Sequence, residues 1–329
     1  MNSLFRRSSQ LLIAGLLVAA TPAVPAMAQS ATDYPNKPVM MVLPFGPGGS
    51  TDPLARLVAQ HMAEELGHPV VVDNRPGGNT VIATDAVAKS PNDGYTLLYT
   101  ATTHVVNDVL MSDLTYDAFD DFQPVASIAR SDLVLVVHPS VQAETVEEFI
   151  ELAKADPGAI NYATSGIGNP NHLAGEYFSI LTGAQLNNVA YQGAGPAIVD
   201  LLGGHVQAMF AVPISVTEHI KAGTLRALAT TGSQPVEGIS VPTFADVGYP
   251  DLELSIWNGI FAPADTPREI VDRLSEVVAT TLEKSEVIEA LAVQGQVPWY
   301  TNPNDFGQSL AMERDMYASI IEKANIVLE

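Results

Sequence analysis

One repeating unit constrains this chain more than any other feature. A short apolar run is followed by a break rich in Gly, Pro, Ser or Thr, and then by a stretch with helical spacing. Val39 to Leu43 breaks at Pro44-Phe45-Gly46-Pro47-Gly48-Gly49. A helix is expected next, with Asp52 as N-cap, Pro53 at its first position and Leu54, Leu57, Val58 and Met62 along one face. Strands at Val70 to Val72 and Tyr95 to Tyr99 flank a helix through Val81 to Ala88. The pattern restarts at Leu133 to Val137, with a helix at Val146 to Ala155 and strands at Ile160 to Ala163, Asn188 to Tyr191, Ala208 to Val212 and Ala227 to Ala229. A strand at Trp257 to Phe261, a long helix capped by Thr266 with Pro267 first, and a last helix over Asp305 to Asn325 complete the chain. Strands alternating with helices of this length predict an α/β fold on mostly parallel sheets, and the restart near residue 130 predicts a second sheet.

The junctions carry the chemistry. Gly46 to Asp52, Thr100 to Thr103, Thr164 to His172 and Gln192 to Pro196 each place small polar residues or glycine where a strand passes into a helix. The first amides of a helix have no partner in the helix, carry partial positive charge and point beyond the strand end. Glycine lets a ligand approach the backbone, and Ser and Thr add hydroxyls. A carboxylate can be held this way without Lys or Arg, in the crevice where open α/β sheets bind ligands. Any one such loop is equally well a tight turn; several on two sheets are harder to explain so. His172 stands where it could face a ligand or serve a structural hydrogen bond. Trp257 reads as core, and Phe45 as either core or pocket wall.

Composition narrows the classes. Of 329 residues, 15 are basic and 37 acidic, a formal charge of −22. That acidity argues against nucleic acid and anionic membrane as partners, and otherwise serves solubility. The absence of cysteine removes disulfides, thiolate metal sites and cysteine nucleophiles. There is no Gly-Lys-Ser/Thr after the first loop, no third glycine after Gly166-Ile167-Gly168, no G-x-S-x-G and no H-E-x-x-H. No catalytic residue, metal ligand or cofactor site is therefore assigned.

Residues 1–28 read as a signal peptide. Arg6 and Arg7 form the positive region, Leu11 to Ala20 an apolar run too short to span a bilayer, and Ala26-Met27-Ala28 a cleavage site before Gln29. The arginine pair also hints at twin-arginine export, although the residues after it match that signal poorly. Loss of the two arginines takes the charge to −24. No cysteine is present for lipid attachment, and no other apolar run approaches a membrane span, so periplasmic location without stable membrane insertion is expected.

Read in order, several stretches resemble the Bug/TctC family, the solute-binding proteins of tripartite tricarboxylate transporters. They are Pro44 to Asp52 with Ala55-Arg56; Asp93-Gly94-Tyr95-Thr96-Leu97-Leu98; Asp121 to Val125; Tyr162 to Glu176 (YATSGIGNPNHLAGE); Tyr191 to Ala197; Asp200 to Gly204; Leu225 to Ala229; Val241-Pro242-Thr243; and Ala262-Pro263. The resemblance implies a two-lobed periplasmic-binding-protein fold of type II kind, with the ligand in the cleft between the lobes. It implies a monomer that captures a small di-, tri- or aromatic carboxylate by amides and small polar groups, partly through water, and delivers it to integral-membrane transporter subunits. Lobe 1 would comprise residues 33–130 and 254–329, and lobe 2 residues 131–253. The capture loops carried over are Phe45 to Asp52, which includes Gly48, Gly49, Ser50 and Thr51, and Ser165 to His172, which includes Gly166 and Gly168. Thr102 and Thr103 join from the junction reading, and Tyr191, Gln192, Gly193 and Asp200 match stretches near the family's cleft. One loop departs from the family: Gly77-Gly78-Asn79-Thr80-Val81-Ile82 replaces a longer glycine run, so its contacts are open. Delivery to a membrane sensor is an alternative use of the same binding module. A hydrolase on a similar frame is a further alternative, without its nucleophile signatures.

Overall fold

The computed structural model describes residues 34–48, 51–233, 236 and 238–327. The proposed leader and cleavage site, together with Gly49 and Ser50 of the first capture loop, lie outside the described residues.

The first sheet has six strands. β1 (Val39–Leu43) lies between β2 (Val70–Asn74) and β3 (Thr96–Ala101), parallel to both. Val39, Met41 and Leu43 are buried on one face of β1 and Val42 on the other, with only Met40 of the strand exposed, which explains its near-continuous apolar run. Helix α1 (Thr51–Leu66) follows β1, α2 (Val81–Ala88) follows β2, and α3 (Thr103–Leu110) follows β3. β4 (Phe122–Asp132) then leaves this sheet for the second, where β5 (Val134–Val137) begins.

The second sheet has the order β7-β6-β8-β5-β9. Its elements are α4 (Val146–Ala155), β6 (Asn161–Thr164), α5 (Pro170–Thr182), β7 (Asn187–Ala190), α6 (Ala194–Leu202), β8 (Ala208–Ala211), α7 (Pro213–Lys221) and β9 (Arg226–Thr230). The chain returns through β10 (Ser255–Pro263), which runs antiparallel between β3 and β4, and continues as α8 (Arg268–Leu282), α9 (Ser285–Val293), β11 (Val297–Pro298) and α10 (Pro303–Ala324).

Helix α8 shows why the return segment folds here. Ile270, Val271, Leu274, Val277, Val278 and Leu282 repeat at helical spacing and are buried with α1 residues under the first sheet. Each such side chain contributes about 1.5–3 kcal/mol by burial, and Leu274→Ala would cost about 2–5 kcal/mol. α10 packs on α3, β4 and α5, so it touches elements of both halves.

Two expected helix starts shift. The first helix already includes Thr51, so Asp52 stands in its first turn, where its carboxylate accepts the Gly48 amide at 3.0 Å. α8 begins at Arg268, because Thr266 turns its hydroxyl back to the Pro263 carbonyl at 2.7 Å and Pro267 has non-helical φ/ψ.

Three segments cross between the sheets at one point. Thr231 Oγ1 accepts the Leu133 amide at 2.9 Å and donates to the Leu254 carbonyl at 2.5 Å, while Ser255 Oγ donates to Asp132 Oδ1 at 2.5 Å. A Cβ on Gly232 would overlap the Asp132 carboxylate, so glycine is required there by close approach.

Candidate functional site

A cavity of about 220 Å³ opens between the two sheets. Its walls come from the four junctions that follow β3, β6, β7 and β8 and from the crossing segments. Thr102 and Thr103 lead into α3, and Ser165, Asn169 and Asn171 into α5. Ala194 opens α6, and Ser215 lies at the start of α7. Leu133, Met209, Phe210, Val212 and Ile256 supply apolar surface. Among the described residues that line it there is no Lys, Arg, Asp, Glu or His.

The polar capacity of this cavity is mostly backbone. In α3 the first amides to reach the Thr102 carbonyl are those of Val105 and Val106, at 3.1 and 3.2 Å, so the Thr103 and His104 amides have no helical acceptor. In α5, Pro170 has no N–H and His172 is the first amide to reach Asn169 O, at 2.9 Å, which leaves the Asn171 amide free. α6 adds the first-turn amides of Ala194 and Gly195 before Pro196. The Thr103 hydroxyl is buried without a partner among the described residues. Of these residues Thr103, Asn171 and Ala194 line the cavity, so several partial positive charges border one small, apolar-walled space.

The second-sheet loop is held rigid from within. Ser165 Oγ donates to Asn171 Oδ1 at 3.0 Å; the Ser165 carbonyl accepts from Asn169 Nδ2 at 3.2 Å and from the Gly193 amide at 3.1 Å. Gly168 has a φ of +76°, and a Cβ there would overlap Leu110, so the loop and α3 touch at this glycine.

Thr102, Thr103 and Ser165 stand on the cavity wall. Gly166 and Gly168 shape the same loop from behind. Other expected residues have their polar atoms engaged within the protein. Asp52 accepts from Gly48 and from Asn74 Nδ2 (2.9 Å) and pairs with Arg56 (3.1 Å), contacts that draw its carboxyl down to about 2. His172 is buried, its Nδ1 accepts the Gly168 amide at 3.1 Å, and burial lowers its pKa to about 4. Tyr191 donates to Asp200 at 2.7 Å, and burial and that carboxylate raise the phenol to about 12. Phe45 packs half-buried against the first core, Gln192 is exposed, and Thr51 begins α1 without lining the cavity.

Sequence reasoning missed the apolar wall and Ser215. Leu133 joins β4 to β5, Met209 and Phe210 lie within β8 and Ile256 is near the start of β10, all in runs whose composition is that of any core strand. Ser215 follows Pro213 at the α7 start, a Pro-at-N1 signal of a further junction. The departing loop forms one 3-10 turn, Gly78–Thr80, with Asn79 and Thr80 at φ of 50° and 77°. Asn107 of α3 holds it, accepting from Asn79 Nδ2 at 2.8 Å and donating to the Asn79 carbonyl at 2.7 Å.

Two α/β halves joined by crossing strands, with helix N-termini around a cavity between them, define a periplasmic-binding-protein fold. Residues 54–326 match the family described as tripartite tricarboxylate transporter family receptor. The chain belongs to this TctC/Bug family of periplasmic solute-binding receptors. It is 39% identical to protein BugT of Bordetella pertussis over 91% of this chain and 93% of that one. It is similar to a solved R. palustris protein, Rpa4515 with adipate, at 33% identity and a TM-score of 0.72, covering 90% of this chain and 99% of that chain. It is also similar to MatC from Rhodopseudomonas palustris with bound malate, at 28% identity and a TM-score of 0.69, covering 88% of this chain and 100% of that chain.

Proposed function

We propose that this chain is an exported receptor that captures a small dicarboxylate between its halves and delivers it to a tripartite tricarboxylate-type membrane transporter. The observation that carries this reading is the convergence of free amides from α3, α5 and α6 on a cavity without a basic side chain among the described residues. Such a site suits a carboxylate and disfavours a cation. The apolar wall suits a ligand with a methylene or methine middle, as in the adipate and malate of the two solved relatives. Residues 33–130 with 254–329 would form one lobe and residues 131–253 the other, closing about the crossing point at Leu133, Thr231 and Leu254. Residues 1–28 would direct export. Amide capture involves no bond-making step, and turnover is not part of the reading.

The test is a thermal-shift series over malate, succinate, glutarate, adipate, citrate and benzoate, with a neutral sugar and an alkylamine as controls. A cognate ligand at 100 times its Kd adds about 2.7 kcal/mol of stability. Stabilisation by one or more dicarboxylates supports the reading; stabilisation by the sugar or the amine alone overturns it.

A further inference from the structure

A second cavity, of about 330 Å³, lies behind the crossing strands. Successive residues of β10 separate the two: Ile256 lines the cleft, while Ser255 and Trp257 line the rear cavity. Its other walls are Trp299, Arg130 of β4, and Ser309, Met312, Glu313 and Met316 of α10, with Glu253 exposed at its mouth. Glu313 accepts the Trp257 indole N–H at 2.6 Å, and among the described residues no Lys, Arg or His nitrogen comes within ion-pair distance of it. Arg130 pairs with neither carboxylate; its guanidinium lies 5.9 Å from the Trp299 ring centroid. Arg130, on the wall of the same cavity, lies beyond ion-pair distance, so the Glu313 carboxyl is costly to keep ionised and a cation entering beside it relieves that cost. Indole faces also attract cations, and the chain's net charge of −22 concentrates them near the surface.

We propose that this rear cavity is a second ligand site, which takes a protonated organic amine with an apolar or aromatic body. The ammonium lies at Glu313, the apolar body lies against Trp257, Trp299 and Met316, and the far end lies toward Arg130. This site is separate from the carboxylate cleft and stands whether or not that reading holds.

The chain has two tryptophans, and both line this cavity, so intrinsic fluorescence reports it directly. Phenethylamine is the probe, and 2-phenylethanol is its neutral counterpart. We expect a saturable fluorescence change with the amine, at least tenfold weaker with the alcohol and in Glu313→Gln. Met312→Lys places a cation at the exposed rim without touching the core and should weaken the amine to a similar extent. The response should persist in Gly166→Val, whose lesion is in the cleft. No saturable change, an equal response to the alcohol, unchanged affinity in Met312→Lys, or loss of the response in Gly166→Val overturns the proposal.

Discussion

Thr102 and Trp257 exchange two hydrogen bonds. The Thr102 amide donates to the Trp257 carbonyl at 3.2 Å, and the Trp257 amide donates to Thr102 Oγ1 at 2.9 Å. Through this pair the start of α3, on the cleft wall, is tied to the strand that crosses between the halves. Thr102→Val keeps the shape but leaves the buried Trp257 N–H without its acceptor. We expect a loss of about 1–3 kcal/mol, read as a lower denaturation midpoint with an unchanged m-value. Wild-type stability in that variant would show that the contact is replaceable.

Gly166 has a φ of +140°, and a Cβ there would lie 2.8 Å from Asn169 Nδ2, the group that holds the Ser165 carbonyl. Gly166→Val should therefore displace the α5 loop while leaving both sheets intact. A tenfold or greater loss of dicarboxylate affinity by calorimetry, about 1.4 kcal/mol or more, is expected with unchanged circular dichroism. Full affinity would remove this loop from the site.

Two buried histidines set an acid limit. Burial lowers both His172 and His104 to about 4, below the ordinary value of 6.5, so the fold favours their neutral forms. Their contribution is complete above pH 6.5 and is lost as pH falls from 6.5 to 4. Burial raises Glu313 to about 7, from an ordinary 4.5, and that group acts in the opposite direction: its protonated form stabilises below pH 4.5, and this is lost as pH rises through 7. Urea unfolding at pH 7 and pH 4.5 separates the two. His172→Asn should narrow the acid loss, and Glu313→Gln should widen it relative to its own pH 7 value. An unchanged pH dependence in both variants would contradict these assignments.

The same Glu313 is visible optically through the Trp257 indole that it accepts. Groups facing it are Arg130 and Glu253 across the rear cavity and Tyr317 on its own helix, with the Asp108–Arg314 pair adjacent on α3 and α10. A fluorescence transition with a midpoint near pH 7, absent in Glu313→Gln, is expected in the unliganded protein.

Salt distinguishes an amide cradle from a basic site. The protein is strongly acidic and the cavity wall has no basic side chain among the described residues, so distant charge repels a dianion that local dipoles hold at contact. Raising ionic strength from about 0.01 to about 0.15 M should speed association and leave dissociation little changed. Slower association in stopped-flow traces would instead indicate steering by Arg or Lys.

The sequence made the strand–loop–helix units legible where glycine or proline punctuates them, as at Gly46 to Pro53 and Thr164 to Pro170. It marked the start of α3 at the Thr100 to Thr103 junction but hid the helix's extent, because THVVNDVL has no Gly or Pro and is rich in β-branched residues. It hid β4, whose Pro124 and mixed polarity do not alternate, because this strand's partners, β10 and β11, are far away in the chain. Polar residues beside glycine loops were natural ligand candidates. Yet Asp52 and His172 are turned inward to cap their own loops, a choice made by tertiary packing. The apolar wall was hidden for the opposite reason: Met209, Phe210 and Ile256 look like core until two halves face each other.

The central claim is that amides, not basic side chains, hold the ligand. Amide proton–nitrogen NMR spectra recorded during a dicarboxylate titration test it most directly. We expect the Thr103, His104, Asn171 and Ala194 signals to move downfield and saturate together, with the side-chain Nε–H signals of Arg75 and Arg130 unmoved. Stationary amides with moving arginine signals would contradict the account.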